Sequence, residues 1–284
     1  NKGDSNTIRR TVNNILLDGP SLRAYRHFPN VGKRKSWAAA DASKRGIELS
    51  IISSYQDEIY ESVQNEDKWG FETNFLDNSE LEFGKDLNNW VIQNVLFKVL
   101  FPAEFHGQSA VEAAIELSDE FNQNINKLEK VNIYTHEPAV RIISNKDILK
   151  NASDRDHSLE YMVAAALLYG DLKYEMYEES FQGFEKINNL RKKIFVTEEP
   201  QFTKDYYDFS KRHISNSIEI VYNDNSISEK ITIENPIGHP SRRDEAVPLM
   251  KEKFLRNVKS IFDTGKASEV WDKIINLKKD DDLN

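Results

Sequence analysis

Four short stretches concentrate the side chains able to move protons or hold anions: LRAYRHFPNVGKRKSW from Leu22, FKVLFPAEFHGQSAVEAA from Phe97, NASDRDHSLEY from Asn151 and NPIGHPSRRDE from Asn235. Each mixes His or an acid with Lys or Arg. Together they describe one chemistry, in which cations hold carboxylates while an imidazole or carboxyl group moves a proton at the neighbouring carbon. Taking a proton from beside a carboxylate adds charge to a group already anionic, so cations aimed at that group are the main electrostatic requirement. Lys35, Lys98, Arg242 and Arg243 are the candidate cations, with His106 and His157 the candidate imidazoles. Taken singly, each has a plainer reading: Lys33 to Lys35 as a solvated loop, His106 as a core histidine, His157 as an electrostatic or capping partner at a helix start, Arg242 and Arg243 as surface charge.

The elements that must carry these stretches follow from apolar spacing. Ile8, Val12, Ile15 and Leu16 predict a first helix, capped by Asp4 or Ser5 and stopped at Asp18-Gly19-Pro20. Ala38 to Ser54 predicts a second, whose small flank (Ala39, Ala42, Ser43, Gly46, Ser50, Ser54) suits close backbone approach inside a helical bundle. Residues 56 to 92 read as short helices and irregular loops. A helix from Gln108 to Phe121 follows the loop that carries His106, and Val131, Ile133 and Thr135 alternate as in a half-buried strand. Leu159 to Leu167 predicts a helix ending at Gly170, with Asp156 as its cap. Asn216–Tyr222 and Ile227–Ile233, on either side of Asn223-Asp224-Asn225, predict a β-hairpin. Two amphipathic helices then run from Val247 to Ile261 and through Val270, Trp271, Ile274 and Ile275, before a polar tail from Lys278 that is expected to fray. The order is helical, mixed, helical again, without a repeated βαβ pattern.

Composition narrows the function classes. The chain has 284 residues, 39% apolar and 30% charged, with 11 Gly and 8 Pro, which excludes disordered and collagen-like classes and fits one large domain or two smaller ones. No apolar run approaches the length of about 18 residues needed to cross a bilayer, so no membrane partner is expected. A net charge of −9 has the wrong sign for gathering nucleic acid, while a few cations in one cleft still suffice for a small anion. The absence of cysteine excludes disulfides, zinc–thiolate sites and a cysteine-ligated iron–sulfur cluster. Signatures for dinucleotides, nucleoside triphosphates, zinc proteases and serine hydrolases are absent. Residue 1 is Asn and no signal peptide follows it, so the chain is expected to begin inside a longer protein.

At these same stretches the sequence resembles the MmgE/PrpD family. The segments that carry the resemblance are LRAYRHFPNVGKRKSWAAADASKRG, NVLFKVLFPAEFHGQSAVEAA, THEPAVRII, NASDRDHSLEYMVAAALLYG, FTKDYYDFSKR with ISNSI, and NPIGHPSRRDEAVPLMKEKF, in order from about Leu22 to Phe254. The resemblance implies dehydration of 2-methylcitrate to 2-methyl-cis-aconitate in propionate breakdown, with citrate a secondary substrate and no metal or other cofactor. It implies a mainly α fold with an inserted α+β lid: residues 1–97 and 240–284 in the helical domain and 98–239 in the lid. Related lyases such as cis-aconitate decarboxylase place lysines at the positions matching Lys35 and Lys98. Where the decarboxylase has a histidine this chain has Glu104, with His106 two residues on, leaving open which handles the proton. The expected site is Lys35, Lys98, Glu104 and His106 for catalysis, with Arg26, His157, His239 and Arg242 binding a tricarboxylate. The family pattern also implies a homodimer, and a cytoplasmic location, or the mitochondrial matrix in a eukaryote. About two fifths of the helical domain, including an Asp and a His of the site, has no counterpart here, so the fragment alone is expected to be inactive. An isomerase or decarboxylase of a related acid, or a non-catalytic helical module, is the alternative.

Overall fold

The computed structural model describes residues 3–19, 21–26, 32–82, 95–144, 146–258 and 261–277, and contacts group the chain into two units, 1–88 and 89–284. In the first unit the spacing from Ile8 to Leu16 makes helix α1 (Ser5–Asp18). It begins where the Asp4 carboxylate accepts the Thr7 N–H at 2.7 Å and ends at Gly19, φ +70°. A Cβ on Gly19 would meet the Phe75 ring at 2.5 Å, so both backbone and space require glycine. Helix α2 (Arg34–Ser53) packs along α1, with Arg10 Nε donating to the Ser53 carbonyl at 2.9 Å. Its small-residue flank does not lie inside a bundle in this unit. Among the described residues only Ser53 of α2 is buried, because α1 covers just one side of it. Helix α3 (Phe71–Phe75) follows among irregular turns; residues 83–94 of that stretch, like the tail from Lys278, lie outside the described residues.

The second unit is built around one sheet. Helices α4 (Gln108–Glu116) and α5 (Ser118–Asn124) divide the predicted single helix at Leu117. Strand β1 (Leu128–Thr135), helices α6 (Glu137–Ile143), α7 (Ala152–Asp156), α8 (Leu159–Tyr169) and α9 (Phe184–Arg191), and strand β2 (Ile194–Glu198) come next. Then follow helix α10 (Pro200–Tyr207), strands β3 (Asn216–Tyr222) and β4 (Ile231–Ile233), and helices α11 (Arg243–Val258) and α12 (Thr264–Ile275). The strand order is β2-β1-β3-β4, with β1 and β2 parallel and the other pairs antiparallel. The hairpin pairs as expected, but its second strand shrinks to β4 plus an isolated bridge between Val221 and Ile227.

One face of the sheet is the core. Val131 and Ile133 of β1, Ile194 of β2, and Ile218 and Ile220 of β3 point to it, and α4 and α8 cover it with Ala110, Val111, Ala114, Met162, Ala166 and Leu167. On the other face, Tyr134 and Asn132 donate to Glu219 at 2.8 and 3.0 Å. The one parallel pair requires the crossover that α6 to α9 supply. Helix α8 is capped by Ser158, whose hydroxyl accepts the Tyr161 N–H, and not by Asp156; Asp156 is the last residue of α7. Two residues separate Asp156 from the helix start, too far to fill the cap position. Gly170, φ +61°, ends α8 as expected.

Candidate functional site

Pro102 and Ala103 bring the chain to Glu104, whose carboxylate accepts the His106 backbone N–H at 2.8 Å and so caps a 3-10 turn, Phe105–Gly107, that leads straight into α4. The same carboxylate lies 3.0 and 3.1 Å from His106 Nδ1. One local turn therefore fixes the backbone and the imidazole together. Burial raises the Glu104 pKa, but the hydrogen bonds and charge of His106 outweigh it and hold the carboxyl down at about 2, with His157 adding to the effect. Glu104 is an ionised acceptor for Nδ1–H, which leaves Nε2 as the nitrogen that faces away from it. Both side chains keep partial access to solvent, 17% for His106 and 14% for Glu104.

Nε2 faces the Tyr206 hydroxyl, 3.2 Å away on α10. Beyond it lies His136, fully buried at the junction of β1 and α6 and stacked on the Tyr206 ring with centroids 4.7 Å apart and planes 11° from parallel. The His136 and His106 rings lie 5.3 Å apart. Burial lowers His136 to about 4, with the His106 charge acting the same way, so it is neutral at physiological pH. Asn216, at the start of β3, donates to the His106 carbonyl at 2.9 Å and to Ser109 Oγ at 2.7 Å. Two buried atoms in this neighbourhood, His136 Nε2 and Asn216 Oδ1, have no hydrogen-bond partner among the described residues. Such atoms are costly to leave unpaired and favour a bound polar group.

The remaining expected residues fall as follows. His157 is buried, its Nδ1 2.9 Å from the Ser153 carbonyl, and acts on Glu104 electrostatically. Lys98 is exposed, in a segment held by Phe97 N–H donating to the Gly238 carbonyl at 3.0 Å, and its own carbonyl accepts Lys253 Nζ at 2.5 Å. A Cβ on Gly238 would fall 1.9 Å from the Phe97 carbonyl oxygen, so glycine is required for this approach. Burial lowers the Lys253 pKa, and the charges of Arg256 and Lys98 lower it further, which marks a crowded group of cations. His239 is buried between Ser241 Oγ at 2.8 Å and the Arg212 carbonyl at 3.3 Å. The Arg242 guanidinium is engaged by Glu112 at 2.7 Å, by Glu245 at 2.7 and 2.9 Å, and by the Asn235 carbonyl at 2.7 Å. Arg243 lies over the Phe97 ring at 3.8 Å. Lys35, in the first turn of α2, and Arg26, against Tyr25, belong to the first unit; the other six expected residues belong to the second.

Sequence reasoning did not single out His136, Tyr206 or Asn216. All three sit in segments that carry the resemblance, THEPAVRII, FTKDYYDFSKR and ISNSI, but they are 70 and 10 residues apart and share no spacing that would join them. Only the pairing of Thr135 with Asn216 across β1 and β3 and the return of α10 assemble them.

A helix-covered mixed sheet with a carboxylate–imidazole pair beside the start of β3 is an α+β architecture. The family model described as the MmgE/PrpD C-terminal domain matches residues 101–279, and the chain belongs to that family. It is 41% identical over 268 residues to 2-methylcitrate dehydratase of Salmonella typhimurium strain LT2, covering 93% of this chain and 56% of the relative. It is 40% identical to the protein of that name from Escherichia coli strain K12, over 93% of this chain and 55% of the other. Against mitochondrial 2-methylcitrate dehydratase of Yarrowia lipolytica it is 37% identical, over 91% and 50%. The chain thus spans about half the length of the curated relatives it matches. Among the described residues no helix is long and apolar enough to cross a membrane.

Proposed function

We propose that this protein is a hydro-lyase that removes water from 2-methylcitrate to give 2-methyl-cis-aconitate. The observation that carries the reading is the Glu104–His106 pair, inside the family-matched segment of a chain whose relatives are named for that dehydration. Of the two groups left open by sequence, His106 is the one assigned to move the proton. Glu104, held ionised, cannot donate, and its role is to fix the tautomer and stabilise the imidazolium. Lys98, beside Lys253 and Arg256, is assigned to a substrate carboxylate, and Lys35 to another on the family resemblance. Arg26, His157 and His239 are assigned to the substrate side. Arg242, already saturated by two carboxylates, is assigned to hold the 235–242 stretch instead of gripping substrate.

The same reading makes 98–239 a lid inserted in a helical domain formed by 1–97 and 240–284. It also implies a homodimer working in propionate breakdown, in the cytoplasm of a bacterium or the matrix of a eukaryote. The test is product analysis with 2-methylcitrate on a full-length protein that carries this chain, since the chain alone is expected to be inactive. Formation of 2-methyl-cis-aconitate is expected, and an isomer or a decarboxylated acid would overturn the reading. His106→Gln is expected to lower kcat by about 10²- to 10⁴-fold, because the group that accepts the proton is lost. An unchanged kcat would take His106 out of proton transfer.

A further inference from the structure

We propose that Tyr206 is a second catalytic residue of this reaction, handing its proton to the departing hydroxyl and being reset by His106. The inference rests on the hydro-lyase reading and extends it. Dehydration needs one group to accept a proton from carbon and another to protonate the leaving oxygen, and a single imidazole can do both only one after the other. Among the described residues, the hydroxyl hydrogen-bonded to the His106 ring is that of Tyr206, and it suits the second task. With Glu104 accepting from Nδ1–H, the His106 Nε2 lone pair receives the Tyr206 O–H at 3.2 Å.

The ring of Tyr206 is held while its hydroxyl is not. His136 stacks on it at 4.7 Å, and the edge-on Tyr207 ring lies 5.2 Å away, whereas the hydroxyl's recorded partner is the imidazole itself. His136 is fully buried and held by the Ser215 carbonyl and Thr135 Oγ1, each at 3.3 Å. The stack is therefore a fixed wall, and Tyr206, half-buried, keeps an open side. Burial raises the Tyr206 pKa, as do Tyr207 and Glu104, so the phenol is fully protonated in the resting state.

The steps balance. As substrate docks, the Tyr206 O–H turns from Nε2 to the substrate hydroxyl. The C–H bond breaks, its proton passes to His106 Nε2 and its electron pair becomes the new C=C bond. The C–O bond breaks with its pair, and the departing oxygen takes the Tyr206 proton to leave as water. Phenolate and imidazolium then stand 3.2 Å apart, and transfer of the proton from Nε2 to the phenolate restores both. Nothing is oxidised or reduced.

The discriminating experiment pairs Tyr206→Phe with a substrate analogue that carries fluoride in place of the hydroxyl, since fluoride departs without needing a proton. With 2-methylcitrate the variant is expected to lose about 100-fold in kcat with KM changed by less than about threefold. With the fluoro analogue the loss is expected to stay below about tenfold, whereas His106→Gln loses both activities. Equal losses of Tyr206→Phe on both substrates would overturn the proposal in favour of a structural role, and so would unaltered turnover of 2-methylcitrate. Full-length wild-type protein that eliminates neither leaving group would overturn the hydro-lyase reading itself, and the inference with it, an outcome distinct from an active full-length wild type with an unaffected variant. In ¹⁵N-histidine-labelled chain, a resting proton on Nδ1 and an Nε2 shift that moves in Tyr206→Phe are expected; a resting proton on Nε2 would overturn the relay.

Discussion

Helices α2 and α8 show how differently the two units hold their helices. α2 has 20 residues and buries one of them, Ser53; α8 has 11 and buries nine. α2 starts at Lys33 without a side-chain cap, and its helicity rests on good helix formers such as Ala38, Ala39, Ala40, Ala42 and Lys44. α8 is closed at both ends, by Ser158 and Gly170, and packed against the sheet through α4. Ile8, Val12 and Ile15 of α1 and Ile47, Ile51 and Ile52 of α2 are each more than 40% exposed. A helix pattern can thus be locally complete and still leave its apolar face uncovered. Most helical stability in proteins comes from packing that face, and α2 lacks it in its own unit.

The sharpest way to break this contrast is to remove equal kinds of side chain from each unit. Phe121→Ala, at a fully buried core position, is expected to cost about 3–5 kcal/mol of second-unit stability. Ile47→Ala, at a position 63% exposed, is expected to change the first unit by less than about 0.5 kcal/mol. Urea unfolding read with hydrogen exchange separates the two. Amides of α8 should be the last to exchange and those of α1 and α2 among the first, and equal protection in the two units would contradict the comparison.

A second difference is pH dependence from buried groups, which the second unit shows at His136 and Glu104. His136 has a lowered pKa, about 4 against 6.5, from burial first and from the charge of His106 second; Glu104 and Glu137 act in the opposite direction. The unfolded chain therefore binds a proton that the folded chain does not, between pH 6.5 and about 4. Stability is full above 6.5, falls as pH drops through that window by about 3 kcal/mol, and levels below it. Glu104 acts in a lower window, its contribution present above 4.5 and lost towards about 2. His136→Phe keeps a ring against Tyr206 and should flatten the upper window only. A stability profile that still falls between pH 6.5 and 4 would assign that loss elsewhere.

The legibility of the sequence divides along the same line. Elements with strong local signals were readable from it: α1 with its Asp4 cap, α8 with its Gly170 stop, the β3–β4 hairpin and the two closing helices. Strand β2 was not, because Ile194–Glu198 is five residues between charged neighbours and gains its place only by pairing with β1. Glu104 and His106 were legible as candidates, two residues apart in one turn. Their partners His136, Tyr206 and Asn216 meet only through strand pairing and the crossover, so no pattern along the chain could link them. The error over Asp156 has the same origin: composition near the helix start was right, while the short helix α7 takes up Asp156 and passes the cap to Ser158.

The smallest expected effect tests whether caps matter equally in the two units. Ser158→Ala removes the hydroxyl that accepts the Tyr161 N–H in the fully buried first turn of α8. About 1 kcal/mol of second-unit stability should be lost, because a buried donor is left without its partner. Asp4→Ala removes the equivalent acceptor for Thr7 N–H in α1, where water can replace it. Faster exchange in the first turn of α1 is expected there, with the unfolding of the second unit unmoved. If Asp4→Ala instead shifted the melting of the second unit as much as Ser158→Ala does, the two units would fold as one cooperative body, and the contrast between α2 and α8 would describe exposure without independence.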